Sequence, residues 1–329
     1  MRIKNLSRLA LVFAIVGIPI FLTPQRAVAQ KPNPPNPQEI YDLQTSIRGP
    51  LQQRLAAEYP GRFETSVEIF WEPHDGWISQ ELVDWWTLRI ADDDVEGVNR
   101  KAAERMLWRI SGEGPVFLDT RRRRRKICAV VGASRNLLGS GYGDLIDAHD
   151  VIIRVNRAPT DDFSSDVGEK TTHHVMWPRE LDEHQYNREA FLLMTPIASN
   201  VEDVFDRIVT LAEQELGWDL GRVRIIHPEF IKYVHESWAD NQMAYPSTGF
   251  IALMMAVHIC DEVDVFGFGA DASGRWDRYY EEVPEDVSSF HPANLEARVR
   301  EEMEEKGILK VFRGSRPDPT SNSDTSRQD

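Results

Sequence analysis

Cysteine is nearly absent from this chain: 329 residues hold two, Cys128 and Cys260. So sparse a pair excludes a disulfide-rich scaffold. No Cys-x-x-Cys or His-x-x-x-His spacing accompanies it, so it does not read as a metal site. Two cysteines leave either one intramolecular bridge or two buried thiols. Positive charge is also scarce. Lys and Arg number 38 against 53 Asp and Glu, a formal net charge of −15. That balance argues against nucleic acid as the main partner, because neutralising phosphates takes a basic surface. Long apolar runs are missing too. The stretch Leu9 to Leu22 falls short of the roughly 18 residues expected of a membrane span, and Pro19 interrupts it. No internal repeat is present.

What is there begins with a targeting segment. Arg2, Lys4 and Arg8 precede the apolar run, and Ala27-Val28-Ala29 offers a small-x-small cleavage pattern before Gln30. Residues 1–29 are a signal peptide or a short uncleaved signal anchor, with membrane contact through it in the second case. Either way the body is exported or luminal, and an oxidising compartment permits the disulfide. Lys31 to Pro37 is a proline-rich spacer, and the pattern assigns 30–62 to a stem. Residues 63–314 form a single domain, and 315–329 a polar, disordered tail. Hydrophobic residues at 41% supply a sizeable core for that domain. The cations Arg121 to Lys126 are a solvated lead-in to a strand or a local field attracting an anion.

Within the domain the periodicity is that of α/β structure. Short apolar runs at Ile127–Val131, Val151–Val155, Ala190–Met194, Val223–Ile226, Val263–Gly269 and Leu309–Phe312 read as buried parallel strands. Helical spacing spans Val201–Leu216, Phe250–Ile259 and Leu295–Lys306. Alternation of this kind predicts a Rossmann-like parallel central sheet with helices on both faces. Trp71, Trp77, Trp85 and Trp86 are expected to pack an N-terminal helical layer against it.

The strand ending at Val131 runs into Gly132, Ser134 and Asn136, a turn into a helix whose amides suit an anion; Gly139, Gly141 and Gly143 allow further close backbone approach. A dinucleotide site would place Asp or Glu at the end of the next strand. Here that strand ends Arg154-Val-Asn156, which fits NAD poorly. His173 and His174 are adjacent on a strand, point to opposite faces and suit packing rather than a metal. Asp92-Asp-Asp94 precedes the first glycine turn and reads as a solvated loop.

Several separated segments together carry a resemblance. Cys128 to His174 contains Asp147-Ala-His149, Arg154-Val-Asn-Arg-Ala-Pro159 and Asp166-Val-Gly-Glu-Lys-Thr-Thr-His-His174. His227 to Asp271 contains Tyr245-Pro-Ser-Thr-Gly249, Cys260-Asp-Glu-Val263 and Gly267-Phe-Gly-Ala-Asp271. His291-Pro-Ala-Asn-Leu-Glu296 follows. In order and content these resemble the large, small and short sialyl motifs of the animal-type sialyltransferases, glycosyltransferase family 29, with the β-galactoside α-2,3 subgroup nearest.

The resemblance implies a sialyltransferase variant of the GT-A fold and a Cys128–Cys260 disulfide. It implies an inverting enzyme that takes sialic acid from CMP-sialic acid to a galactose-terminated glycan and needs no metal or other cofactor. His291 would be the general base. Gly132, Ser134, Asn136, Asn156, Tyr245, Ser247, Thr248, Gly249, Gly267 and Gly269 would bind the donor. The location implied is the Golgi membrane, lumen-facing, in a eukaryote, and export otherwise. A histidine base suits the chemistry, since its pKa lies near working pH.

Two departures stand out. The first turn usually reads Gly-Asn-Ser in the family and here reads Gly132-Ala133-Ser134. The third motif, usually His-His-Tyr-Trp-Glu, reads Asp277-Arg-Tyr-Tyr-Glu281. Arg278 is expected to supply the lost positive charge. The departures keep rival readings open: another CMP-linked acidic sugar such as CMP-Kdo, or an inactive CMP- or glycan-binding relative. A Rossmann oxidoreductase is the distant remaining class.

Overall fold

The computed structural model describes residues 49–71, 79–90, 125–178, 187, 189–195, 210, 219–239, 245–270, 277–282 and 293–314. The expected helix over 201–216, the tail from 315, the leader, Trp77 and Asp92–Asp94 lie outside them, apart from residue 210.

The centre is a seven-stranded sheet in which every pairing is parallel. Its strands are β1 (Ile127–Val131), β2 (Val151–Val155), β3 (His173–Met176), β4 (Phe191–Met194), β5 (Val223–Ile225), β6 (Glu262–Phe266) and β7 (Lys310–Phe312), in the spatial order β5-β4-β3-β2-β1-β6-β7. Cys128 pairs with Val151 on one side and Val263 on the other. The chain starts at β1, walks outward to β5, then returns to lay β6 on β1's free side. Strand order therefore reverses between β1 and β6. In parallel sheets, ligands bind in the crevice that such a reversal opens at the carboxyl ends.

The strands are mainly apolar because both faces are covered. Cys128, Val130, Ile153, Val155, Val175, Val263 and Val265 face one core, whereas Ala129, Val131, Ile152 and Phe266 face the other. The first core is filled by a helix spanning Thr248–Ile259, which crosses β1, β2, β3 and β6. It is apolar all round, with Phe250 to Val257 all buried, as a helix sunk in a core must be. Buried polar side chains interrupt the apolar pattern of the strands at Arg154, His173, His174 and Arg224. Arg154 on β2 is 1% exposed and donates to the carbonyls of Val167 and Lys170 and to Thr171 Oγ1. Burial lowers its pKa to about 10, so it stays charged and fastens the loop over 167–171.

Numbered in chain order, the α-helices are α1 (Pro50–Glu58), α2 (Gln80–Ile90), α3 (Gly143–Asp147), α4 (Ser164–Val167), α5 (Pro228–Tyr233), α6 (Thr248–Ile259) and α7 (Ala293–Glu305). Residues 49–62, which the sequence pattern assigns to the stem, hold α1. That helix buries Leu51 and Leu55 in the first core. Gln52 Nε2 donates to the carbonyls of Val257 (3.0 Å) and Cys260 (2.7 Å), satisfying orphan acceptors at the end of α6. The packed body thus begins by Gly49.

The tryptophan layer forms with Trp71 and Trp86 buried. Trp71 N–H donates to Ile225 and His227 N–H to Ile69, so a short antiparallel segment covers the β5 edge.

The disulfide joins Cys128 and Cys260, 132 residues apart and both buried. The implied bond is present, and it lies at the far end of the sheet from the β1 turn, since Cys128 is four residues before Gly132, about 13 Å along a strand. It fastens the root of β1 to the segment leading into β6.

Candidate active site

Two turns meet at the carboxyl edge, one after β1 and one after β6. Gly132 N donates to Phe266 O at 2.8 Å and Ser134 N to Gly267 O at 3.0 Å. Ser134 Oγ donates to Gly269 O at 2.6 Å and Asn136 Nδ2 to Phe268 O at 3.1 Å. A Cβ on Gly132 would lie 2.4 Å from the Gly267 carbonyl oxygen, which is why glycine is required there. Gly267 has φ +68 in turn, and a Cβ on it would meet Leu137 at 2.6 Å. The structure thus brings Gly132, Ser134, Asn136, Gly267 and Gly269 together. The polar side chains of Ser134 and Asn136 hold the second turn in place.

The expected helix after Gly132 is only a 3-10 turn, Arg135–Leu137, capped by Ser134 Oγ accepting from Asn136 N. Gly139 and Gly141, at φ +71 and +65, carry the chain away from helix. Their amides, expected to serve close backbone approach to a ligand, both donate to the Asp166 carboxylate, at 2.7 and 2.8 Å. This glycine loop therefore binds its own protein. The helix N-terminus at the crevice belongs to α6, which begins at Thr248 and Gly249 behind the cap Ser247. Gly249 lies against Phe268, whose ring a Cβ would meet at 3.1 Å. The longer α6 carries the larger favourable dipole end.

Ser247 is held by a residue to which the sequence reading gave no role. Glu296, on α7, accepts from Ser247 N at 2.8 Å and from Ser247 Oγ at 2.6 Å. Burial raises the Glu296 pKa against the opposing pull of those bonds. Its signal in the sequence was its place five residues after His291, which itself lies outside the described residues.

Asn156 closes β2 with φ +54, a region that asparagine enters more readily than most residues. Its Oδ1 accepts from Trp177 N at 3.0 Å, and its carbonyl is bonded by His174 Nε2. Burial, aided by the Arg154 charge, pulls His174 down to about 4 against the pull of that bond, so its imidazole is neutral. His173 stacks on Phe191 and bonds Thr172, so both histidines act as expected, in packing and local bonding. Tyr245 is buried edge-on to Trp177, and desolvation drives its hydroxyl pKa up.

The turn over 277–281 docks directly on the β1 turn. Arg135 N donates to Asp277 O and Tyr279 N to Ala133 O, each at 2.9 Å, and Ser134 bridges Arg278. Tyr279 is buried among Ile152, Phe163 and their neighbours, and its hydroxyl donates to Pro159 O at 2.7 Å. Arg278 is thereby placed at the crevice. Its guanidinium pairs with Glu281, which Arg157 also contacts. Arg157 and Glu281 carried no role in the sequence reading; only their proximity in space marks them.

Elsewhere along the same edge, past β5, lies a cleft of about 540 Å³ lined by residues including Trp71, His227, Tyr233, Glu68 and Glu229. Among the described residues no group of three potential metal ligands occurs, and no helix is long and apolar enough to cross a membrane.

Fold and crevice together define a class: an α/β protein with paired glycine turns, a helix N-terminus and arginines around a site suited to a phosphate-bearing ligand. Residues 77–308 match the model of glycosyltransferase family 29 (sialyltransferase), and the chain belongs to that family. It is 33% identical over 270 residues to rat CMP-N-acetylneuraminate-beta-galactosamide-alpha-2,3-sialyltransferase 2, covering 78% of this chain and 76% of the rat protein. The human alpha-2,3-sialyltransferase 1 is 31% identical over 276 residues, 80% of each chain. A crystal structure of a mammalian sialyltransferase superposes with a TM-score of 0.67 and 31% identity, covering 80% of this chain and 96% of that one. A related one at the same TM-score holds Gal-beta-1-3GalNAc-ortho-nitrophenol. The expected family and fold both stand.

Proposed function

We propose that this protein transfers sialic acid from CMP-sialic acid to a terminal galactose of a glycan, with inversion at the anomeric carbon. The observation that carries this reading is the crevice at the β1–β6 reversal, where the two glycine turns of the large and small motifs are knit together in a member of the sialyltransferase family. CMP lies across that crevice, against Gly132, Asn136, Asn156, Ser247, Thr248, Gly249, Gly267 and Gly269. His291, at the head of the segment leading into α7, takes the proton from the acceptor hydroxyl. The bond between the anomeric carbon and the phosphate oxygen breaks, and its electron pair leaves with CMP. Amides, the α6 N-terminus and arginine meet the charge on the leaving phosphate, so no metal is required. The acceptor approaches from the cleft past β5, where an aromatic wall and carboxylates suit sugar hydroxyls. The buried disulfide and the leader segment support a luminal, Golgi-type or exported location with the N-terminal segment as anchor or signal.

The test is a product-detected transfer assay with CMP-sialic acid and β-galactosides. His291→Ala should lower kcat by about 10²–10⁴-fold and leave CMP affinity unchanged. Activity should survive EDTA. No transfer by folded protein, or a His291→Ala enzyme at full rate, counts against the reading. A second reading, transfer from another CMP-linked acidic sugar such as CMP-Kdo, is favoured by Ala133 and by the Asp277–Arg278 pair. Competition between the two donors separates them.

A further inference from the structure

We propose that the cleft past β5 is a second glycan subsite, which takes a neutral, hydroxyl-rich arm of the acceptor while the terminal galactose lies at the crevice. The proposal rests on the reading that the acceptor is a galactose-terminated glycan. Four strand spacings separate β5 from β1, about 19 Å, so the galactose that reacts at the β1–β6 crevice cannot also fill this cleft. A more remote part of the same acceptor can. The cleft, about 540 Å³, is walled by the edge segment over 64–71, the start of α2, and α5 with the π-helical turn Val234–Trp238 that follows it.

Two buried aromatic side chains bring unspent donors to its wall. Trp71 is 2% exposed, and its indole Nε1 has no hydrogen-bond partner. Tyr233 is 7% exposed; its hydroxyl accepts from Glu64 N at 3.1 Å and from Trp238 Nε1 at 2.9 Å, which leaves its own proton to give. Burial raises that hydroxyl's pKa to about 12, so the proton stays in place. Buried donors are normally satisfied, so two on one wall mark a place for an acceptor. Carboxylates stand beside them. Glu64, Glu68, Glu229 and Glu236 line the cleft and are exposed, and a carboxylate only accepts. Lys232 is the one lysine or arginine among the described lining residues, and it donates to Glu81 at 2.9 Å. The cleft thus sets donors and acceptors side by side in a negative field. A sugar hydroxyl both donates and accepts, so a run of hydroxyls meets both sets. A carboxylated or sulfated arm would serve the donors but face the four glutamates, so the subsite selects neutral arms.

Transfer kinetics of the full chain with CMP-sialic acid test this on acceptors that share one terminal galactose. They are a disaccharide, a neutral branched oligosaccharide, that oligosaccharide with sialic acid already on its second arm, and the disaccharide carried by a lysine-rich peptide. The neutral branched acceptor should have a KM about tenfold below that of the disaccharide, the scale of two added hydrogen bonds, at similar kcat. The sialylated arm should forfeit that gain. Trp71→Phe keeps a ring and removes the N–H, and should cut the gain about threefold. Glu229→Gln combined with Glu236→Gln keeps two acceptors and removes two charges. It should lower the KM of the sialylated acceptor about fivefold, as added salt should in wild type. Thermal melts check folding, and the exposed glutamates carry the test if Trp71→Phe does not fold. No transfer to any acceptor overturns the galactose reading and the subsite with it. Transfer with equal KM on the disaccharide and the neutral branched glycan overturns the subsite alone. So does a gain that survives both sets of substitutions, since the arm then binds elsewhere. A gain found instead on the lysine-rich peptide, and lost with the glutamate charges, makes the cleft a peptide site and overturns the glycan assignment.

Discussion

The glycine loop over 139–143 and the charged turn over 277–281 exchange the roles that their sequences suggest. The loop has the composition of an anion cradle, but its amides close on Asp166 and its last glycine packs on Ser164. The turn reads as an eroded motif, yet its backbone is locked to the β1 turn and it carries Arg278 to the crevice. Backbone donors are generic, so any nearby carboxylate can take them, and here one of the protein's own does. A guanidinium placed by a fixed backbone is specific to its location. Glycine content was therefore a poorer guide to the binding surface than backbone pairing.

Breaking the frame that both turns share should have the largest effect. Both hang from β1 and β6, and the Cys128–Cys260 bond ties those strands at their roots. Cys128→Ala with Cys260→Ala should destabilise the protein by about 4–5 kcal/mol in the chain-entropy account, read by urea unfolding. CMP affinity of the surviving folded fraction should change little, because the bond lies at the far end of the sheet. A loss confined to CMP binding would contradict that placement.

Acid should next separate the glycine loop from the segment after β2. Burial holds His174 and His258 at about 4, below the 6.5 of a free imidazole. Between those values the unfolded chain binds more protons. Their contribution is therefore full above pH 6.5 and is lost as pH falls toward 4, by up to about 3 kcal/mol each. His149 opposes them. Burial pulls its pKa down, but the Asp264 and backbone bonds pull it further up, so it adds stability below 6.5 that fades as pH rises. The two lowered groups prevail, and stability should climb from pH 5 to pH 7. Because His174 bonds Asn156, hydrogen exchange at 156–159 should rise in acid before that at 139–143. A flat stability profile, or the reverse order of exchange, sinks this.

The smallest effect is the sharpest contrast. Asp166→Ala should cost about 1–2 kcal/mol by freeing two amides, with CMP binding intact, whereas Arg278→Gln should do the opposite. If Asp166→Ala tightens CMP binding, the glycine loop is a ligand site after all.

Much of this was legible before any coordinates. Short apolar runs marked six of the seven strands, because strands covered on both faces are mainly apolar. The strand His173–Met176 is no apolar run and was marked only by its two adjacent histidines, read as lying on a strand; the neutrality of His174 depends on burial that the sequence does not display. Residues from about Glu39 to Ala57 have helical spacing in the sequence, and Pro50–Glu58 is helical, although the pattern placed it in the stem. What draws it into the body is Gln52 meeting carbonyls at the end of α6, more than 200 residues away. Arg157, Glu281 and Glu296 were missed as partners for the same reason: each acts on a residue remote in sequence.

The amino-acid sequence by itself determined the parallel α/β class, through its periodicity, and the family, through the order of its motifs; the resemblance those motifs carry implied the pairing of the two cysteines. Only the tertiary structure decided that the disulfide lies away from the crevice, that Asp166 fills the glycine loop, and that two arginines share one glutamate beside Ser134. Those facts depend on which groups reach each other first in a packed interior, where donor, acceptor and charge must all find partners within a few ångströms.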